Sequence, residues 1–248
     1  MAVILNPFIK VVNSMNGIPT EVSGFDGNQF LQQRFQAREA SLYISMHQVM
    51  AQVAKLLAPG EKIINMLPMT NEENAGIATD GMMGMYAPKQ QTAKDYINAQ
   101  SSLRGNRLMI FTDRRMIFFV VIEFLDDPKA YYSYEYHELK HLMLKQHTTT
   151  IPGAKPWQRA YFSSYHVDFE TPERHIFSET LTEDNFKLFK RNLLTIPAMA
   201  DIEITGKMDR SWRRDNWLSN WHFWAYLFGG LIVFALLATL IGGLIQGF

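Results

Sequence analysis

Cysteine is absent from the 248 residues. That removes disulfides, thiolate nucleophiles and cysteine-ligated zinc or iron–sulfur centres together, and leaves only His, Asp and Glu for any metal site. An excess of charge of either sign is also missing. The 24 Lys and Arg balance the 24 Asp and Glu, so no global field recruits nucleic acid. No Gly-rich phosphate loop of Walker or dinucleotide form occurs, and the Ser, His and Asp residues form no nucleophile elbow. These absences predict a protein that is not an enzyme and needs no cofactor. The opening MAVILNPFIKVV has no basic n-region and is interrupted by Asn6 and Pro7, so it does not read as a secretory signal.

What is abundant is apolar length at the C-terminal end. FWAYLFGGLIVFALLATLIGGLIQGF, residues 223–248, carries no charge, and about 20 residues rising 1.5 Å each span a bilayer's hydrocarbon core. The prediction is one transmembrane helix over 222–248, a tail anchor. Trp212, Trp217, Trp221, Trp224 and Tyr226 cluster at its start, where amphipathic rings favour the headgroup layer. The preceding linker, 199–221, holds Lys207, Arg210, Arg213 and Arg214 against Asp209 and Asp215. By the positive-inside tendency the N-terminal part stays cytoplasmic. Arg210, Arg213, Arg214 and the four tryptophans are therefore the expected membrane interface. Along the span Ala235, Thr239, Gly243 and Gly247 recur every four residues. Such a small-residue stripe suits close packing on a membrane-protein partner or a second copy of the chain.

Toward the N-terminus, in a segment over 1–58, Leu31, Phe35, Leu42, Met46, Val49, Val53 and Leu56 have helical spacing, ended by Pro59-Gly60. This is a long amphipathic helix whose apolar stripe fits either its own domain or a partner. From Glu61 the rhythm changes to short β-prone runs, among them KIINML, RLMIFT, RMIFFVVIEFL, LMLKQHTTT, RAYFSSYHVDFET and RHIFSET. The short polar gaps favour an antiparallel meander over β-α-β crossovers. A helix follows, with Thr180 and Glu183 at capping-box spacing and Phe186, Phe189 and Leu193 on one face.

NRLMIFTDRRMIFF (106–119) resembles the paired strands of bacterial pleckstrin-homology-like (PH/GRAM-like) domains, in which a Thr-Asp-Arg-Arg-type turn joins two hydrophobic strands. YHELKHLML, with Tyr136, Leu139, Leu142 and Leu144, resembles the family's next strand, and LLAPGEKII its approach to the first. The resemblance implies an α+β fold: a bent antiparallel β-barrel closed by a C-terminal helix over 59–198, preceded by the helical segment and followed by the span. Its departure is the insertion at 70–105, far longer than the usual loop between the first two strands. Relatives that bind phosphoinositides cluster Lys and Arg in that loop. Here Lys89, Lys94, Arg104 and Arg107 are diluted by Glu72, Glu73, Asp80 and Asp95. Arg114 and Arg115 read as a solvated hairpin turn. Met82, Met83, Met85 and Tyr86 in the insertion form a candidate binding surface, since flexible thioethers make adaptable contacts.

One motif points elsewhere. His137-Glu138-x-x-His141 has the spacing of a helical zinc site, with Glu138 as base and both imidazoles on one face. On a strand the two would instead lie about 13 Å apart at roughly 3.3 Å per residue, too far to share one ion. The flank YYSYEY is β-prone and favours the strand. The expected function is thus a non-enzymatic, membrane-tethered adaptor or accessory subunit that presents an interaction domain to membrane proteins. The alternatives are an anionic-lipid headgroup module and, behind it, a zinc metalloprotease.

Overall fold

The computed structural model describes residues 6–19, 29–69, 106–152, 159–172, 176–207, 209–213, 216 and 221–245. The architecture is mixed α+β. Helices α1 (Pro7–Met15) and α2 (Gln29–Leu56) precede strands β1 (Ile63–Met69), β2 (Arg107–Thr112) and β3 (Arg115–Val120). A short helix α3 (Val121–Asp126), strand β4 (Tyr132–Glu135), strands β5 (Lys140–Pro152), β6 (Arg159–Glu170) and β7 (Ile176–Leu181), and helix α4 (Glu183–Thr195) follow. The described chain ends with a two-residue strand β8 (Ile204–Thr205) and helix α5 (Trp221–Ile245).

Two four-stranded sheets form, in the orders β1-β2-β3-β4 and β7-β6-β5-β8. The first is an antiparallel meander. The second is antiparallel except for β8, which runs parallel to β5. The expected closed barrel does not form: among the described residues no ladder joins β4 to β5. The chain instead turns through a 3-10 segment at Tyr136–Glu138. His141 then adopts a positive φ of 55° within a register shift between Lys140 and Met143. These irregularities break the strand where a barrel would need it continuous.

The sheets' facing sides share one core. Leu67, Met109, Phe111, Met116 and Phe118 of the first sheet meet Leu142, Val167, Phe169 and Phe177 of the second, and Leu188, Phe189 and Leu193 of α4 pack against both. The alternation of β6, with Val167 and Phe169 inward, follows from the two-residue period of a strand. α4 is capped by Thr182, whose Oγ1 accepts from the Asn185 amide at 3.3 Å, and not by Thr180. Thr180 lies within β7. Phe186 is only partly buried, against Tyr165 at 4.9 Å between ring centroids.

The first sheet is covered on its other side too. Leu108, Ile110, Ile117 and Phe119 pack on Phe8, Val11 and Val12 of α1, Met46, Val49 and Val53 of α2 and Phe124 of α3. Burial on both faces accounts for the unbroken apolar runs of β2 and β3. The apolar stripe of α2 therefore packs on its own domain, with its buried residues in the C-terminal half. Met46, Val49 and Val53 are its buried residues, each contributing about 1.5–3 kcal/mol of burial. Phe30, Leu31, Tyr43 and Ile44 of the same helix are exposed.

α5 contains a stretch, Phe223–Ile241, long and apolar enough to cross a membrane. Its 19 residues extend about 28 Å at 1.5 Å per residue, close to the hydrocarbon thickness.

Candidate functional site

The segment between the second sheet and α5 gathers a knot of buried and half-buried polar contacts. On β6 the residues opposite the core are Asp168 and Glu170, yet both are buried. What covers them is the chain leading to α5. The Arg210 guanidinium grips Asp168 with both Nη atoms, Nη1 on Oδ1 and Nη2 on Oδ2, the latter at 2.8 Å, with both side chains fully buried. The next amide, Ser211 N–H, donates to Glu170 Oε2 at 2.8 Å. Asp209 completes the knot: its carboxylate accepts from Asn216 Nδ2 at 2.8 Å and from the Arg210 amide at 2.9 Å. The His141 ring lies 3.0 Å from its other oxygen. The Asn216 hydrogen bond, helped by the Arg210 amide and His141 against a burial cost, holds the Asp209 carboxyl below its ordinary range. A bidentate, desolvated Arg–carboxylate pair is rigid and directional. It fixes the chain eleven residues ahead of Trp221, where α5 begins.

Arg210 was expected at the lipid interface, and this is corrected: its charge is spent inside the protein on Asp168 and is not presented to headgroups. Trp212 is 53% exposed, and Arg213 is exposed as well. Trp221 opens α5. Trp224 is buried, stacked on Phe228 at 5.8 Å and edge-on to Phe223 at 5.5 Å. Ala235 and Thr239 are exposed on α5, and the Thr239 hydroxyl is satisfied within the helix by the Leu236 and Ala235 carbonyls at 2.8 and 3.1 Å. Gly243 lies on the same helix. Met82, Met83, Met85, Tyr86, Arg214, Trp217 and Gly247, with the whole 70–105 insertion, lie outside the described residues.

The zinc reading is also corrected. His137 sits on the 3-10 turn and His141 on β5, so no α-helix stacks the two rings. Each imidazole Nδ1 faces a different carboxylate, Glu135 at 3.2 Å and Asp209 at 3.0 Å. Glu138 accepts the Glu135 amide at 2.8 Å and so serves as a cap. Among the described residues no group of three His, Asp or Glu could hold a metal ion.

Two further ion pairs are structural. Arg107 at the start of β2 pairs with Glu179 of β7, both fully buried, and so ties one sheet to the other. Arg115, expected in a solvated turn, instead forks onto Glu61 at 2.9 and 3.1 Å and onto the Leu56 carbonyl at 2.8 Å. It thereby joins the end of α2 to the β2–β3 hairpin. Thr112 Oγ1 caps that turn, accepting from the Arg114 and Arg115 amides. The Thr112 carbonyl accepts the Tyr136 hydroxyl at 2.7 Å.

Sequence reasoning missed Asp168 and Glu170. The readable signal was the alternation in Tyr165-His166-Val167-Asp168-Phe169-Glu170: carboxylates every second residue on a strand need a cationic or amide partner when their face is covered. No protein-family model and no curated protein matches the chain. Among solved structures it is similar to the hSac2 domain from human phosphoinositide phosphatase Sac2, with 11% identity, TM-score 0.32, and coverage of 69% of this chain and 95% of that one. A likeness so slight carries no argument.

Proposed function

We propose that the chain is a membrane-tethered, non-enzymatic adaptor whose α5 anchors it in the bilayer and whose two-sheet domain is of the pleckstrin-homology-like class. The observation that carries the proposal is the buried Arg210–Asp168 pair with its Ser211–Glu170 companion. A span joined to its domain by a loose linker would need no such fastening. A domain held at a set attitude to the membrane would. The element order supports the class: four strands, three more strands, then a helix packed against both sheets. The positive excess before α5 supports a cytoplasmic domain. Tethering raises the domain's effective concentration toward other membrane proteins.

The test is purification of the full chain from its membrane in mild detergent, with mass spectrometry of what accompanies it. The expected result is a stoichiometric membrane-protein partner or a second copy. It should be lost when Gly243 and Gly247 are made leucine, or when 222–248 are removed. A chain that purifies alone and monomeric, or one that keeps its cellular activity as a soluble fragment, overturns the adaptor reading.

A further inference from the structure

From Leu139 to Val167 the sequence contains no Asp or Glu, while it contains Lys140, Lys145, Lys155 and Arg159. This stretch is the β5–β6 hairpin, paired from Met143↔Asp168 outward to Pro152↔Arg159. β7 accompanies β6 only from Tyr165 to Glu170, so among the described residues the hairpin beyond that row is a two-stranded ribbon. Lys145 through Thr150 are all exposed.

The register sorts the ribbon into two faces. Directly opposed residues of an antiparallel pair share a face, and faces alternate along the strand. Val167 and Leu144 face the inter-sheet core. Asp168 therefore lies on the outer face, and the next outer rows are Lys145↔His166, His147↔Ser164 and Thr149↔Phe162. The Asp209–Ser211 segment lies on the outer face, over Asp168 and Glu170. The chain that leads into α5 thus lies on the same face that presents Lys145 and His147, beginning one row, about 6.6 Å, further along. Asp168 and Glu170 on this face are already engaged by Arg210 and Ser211, and Asp209 over them by Asn216, the Arg210 amide and His141. Burial first, then neighbouring His147 and Lys145, hold the His166 imidazole below its ordinary pKa.

We infer that the outer face of the β5–β6 hairpin, carrying Lys145, His147 and Thr149, lies against the anionic headgroups of the membrane in which α5 is anchored. The inference rests on the anchor reading above and adds to it a surface and a ligand class. Exposed Lys or Arg near an anionic leaflet each strengthen binding about five-fold. Lys140 and Lys145, on the outer face, together give about twenty-five-fold. That is too little to hold a free domain on a bilayer. It is enough to orient one that α5 keeps within reach.

The absence of cysteine allows a direct test on the full chain. Thr149→Cys and, on the opposite face, Thr148→Cys are each labelled with an environment-sensitive fluorophore and reconstituted into vesicles of phosphatidylcholine alone or with about a third phosphatidylglycerol. The expected result is a blue shift and lipid-quencher access at position 149 on anionic vesicles only. The shift is weaker at 148, reversed by 0.5 M salt (~4 Å Debye length), and abolished by Lys145→Glu. Co-flotation of the protein with vesicles is read in the same samples. Protein that floats but shows the same signal at 149 on both lipids overturns this inference alone. Protein that does not float overturns the anchor reading and this inference with it.

Discussion

At the scale of single residues, the charged groups of this fold are fasteners. Glu61 shows the electrostatics clearly. Burial opposes its ionisation, but hydrogen bonds from Arg115, the Ala58 amide and Thr112 outweigh that cost and hold its carboxyl below the ordinary value. A carboxylate whose folded pKa is depressed stabilises the fold fully above its unfolded pKa of about 4.3, and that contribution is lost as pH falls through the folded value. Glu61→Gln is expected to cost about 1.5–3 kcal/mol at pH 7. The gap in melting temperature from the parent should narrow as pH drops below about 4, which a thermal series followed by circular dichroism would check. Arg210→Ala should cost more, about 3–5 kcal/mol, because it strands Asp168 as an uncompensated buried charge. The paired change Arg210→Met with Asp168→Leu should recover most of that loss in urea unfolding. No reading of isolated residues marks Asp168 as the partner of Arg210. They are 42 positions apart, and only the docking of the linker on the sheet makes them meet.

At the scale of elements, α2 divides into two halves with different work. Its C-terminal half lays Met46, Val49 and Val53 on the first sheet, all fully buried. Met46→Ala is expected to cost about 2–5 kcal/mol. Leu31→Ala, in the half without buried residues, should stay within about 0.5 kcal/mol. Denaturant midpoints of the two variants test the division. The periodicity that located this helix was plain in the sequence because 3.6-residue spacing is a local property. So were the runs that became β2 and β3, the apolar α5, and the meander implied by short gaps. The failure of the barrel to close was not legible. It depends on how Tyr136–Glu138 turns and on the left-handed backbone of His141, where local sequence spells a helix-like motif inside a strand context. Nor was the packing partner of α2, since an apolar stripe specifies that something covers it and not what.

At the scale of the whole molecule, the domain and the apolar helix should separate cleanly. The clamp's described contacts, from Asp209 to Asn216, precede Trp221, so a chain shortened by 222–248 is expected to keep Arg210 on Asp168. It is expected to be water-soluble, to unfold in one cooperative transition, and to show a denaturant slope suited to its size. Loss of cooperativity on removing α5 would mean that the helix is part of the fold. The doubly covered first sheet has a further consequence for how the protein is made. Strands β2 and β3 present buried side chains at nearly every position, the composition that seeds aggregation when left bare. Both of the longer helices that shield their outer side, α1 and α2, come before them in the chain. Translation at about 5–20 residues per second therefore delivers the shield to the ribosome's exit seconds ahead of the strands, so that the most adhesive part of the nascent protein emerges with its cover already synthesised.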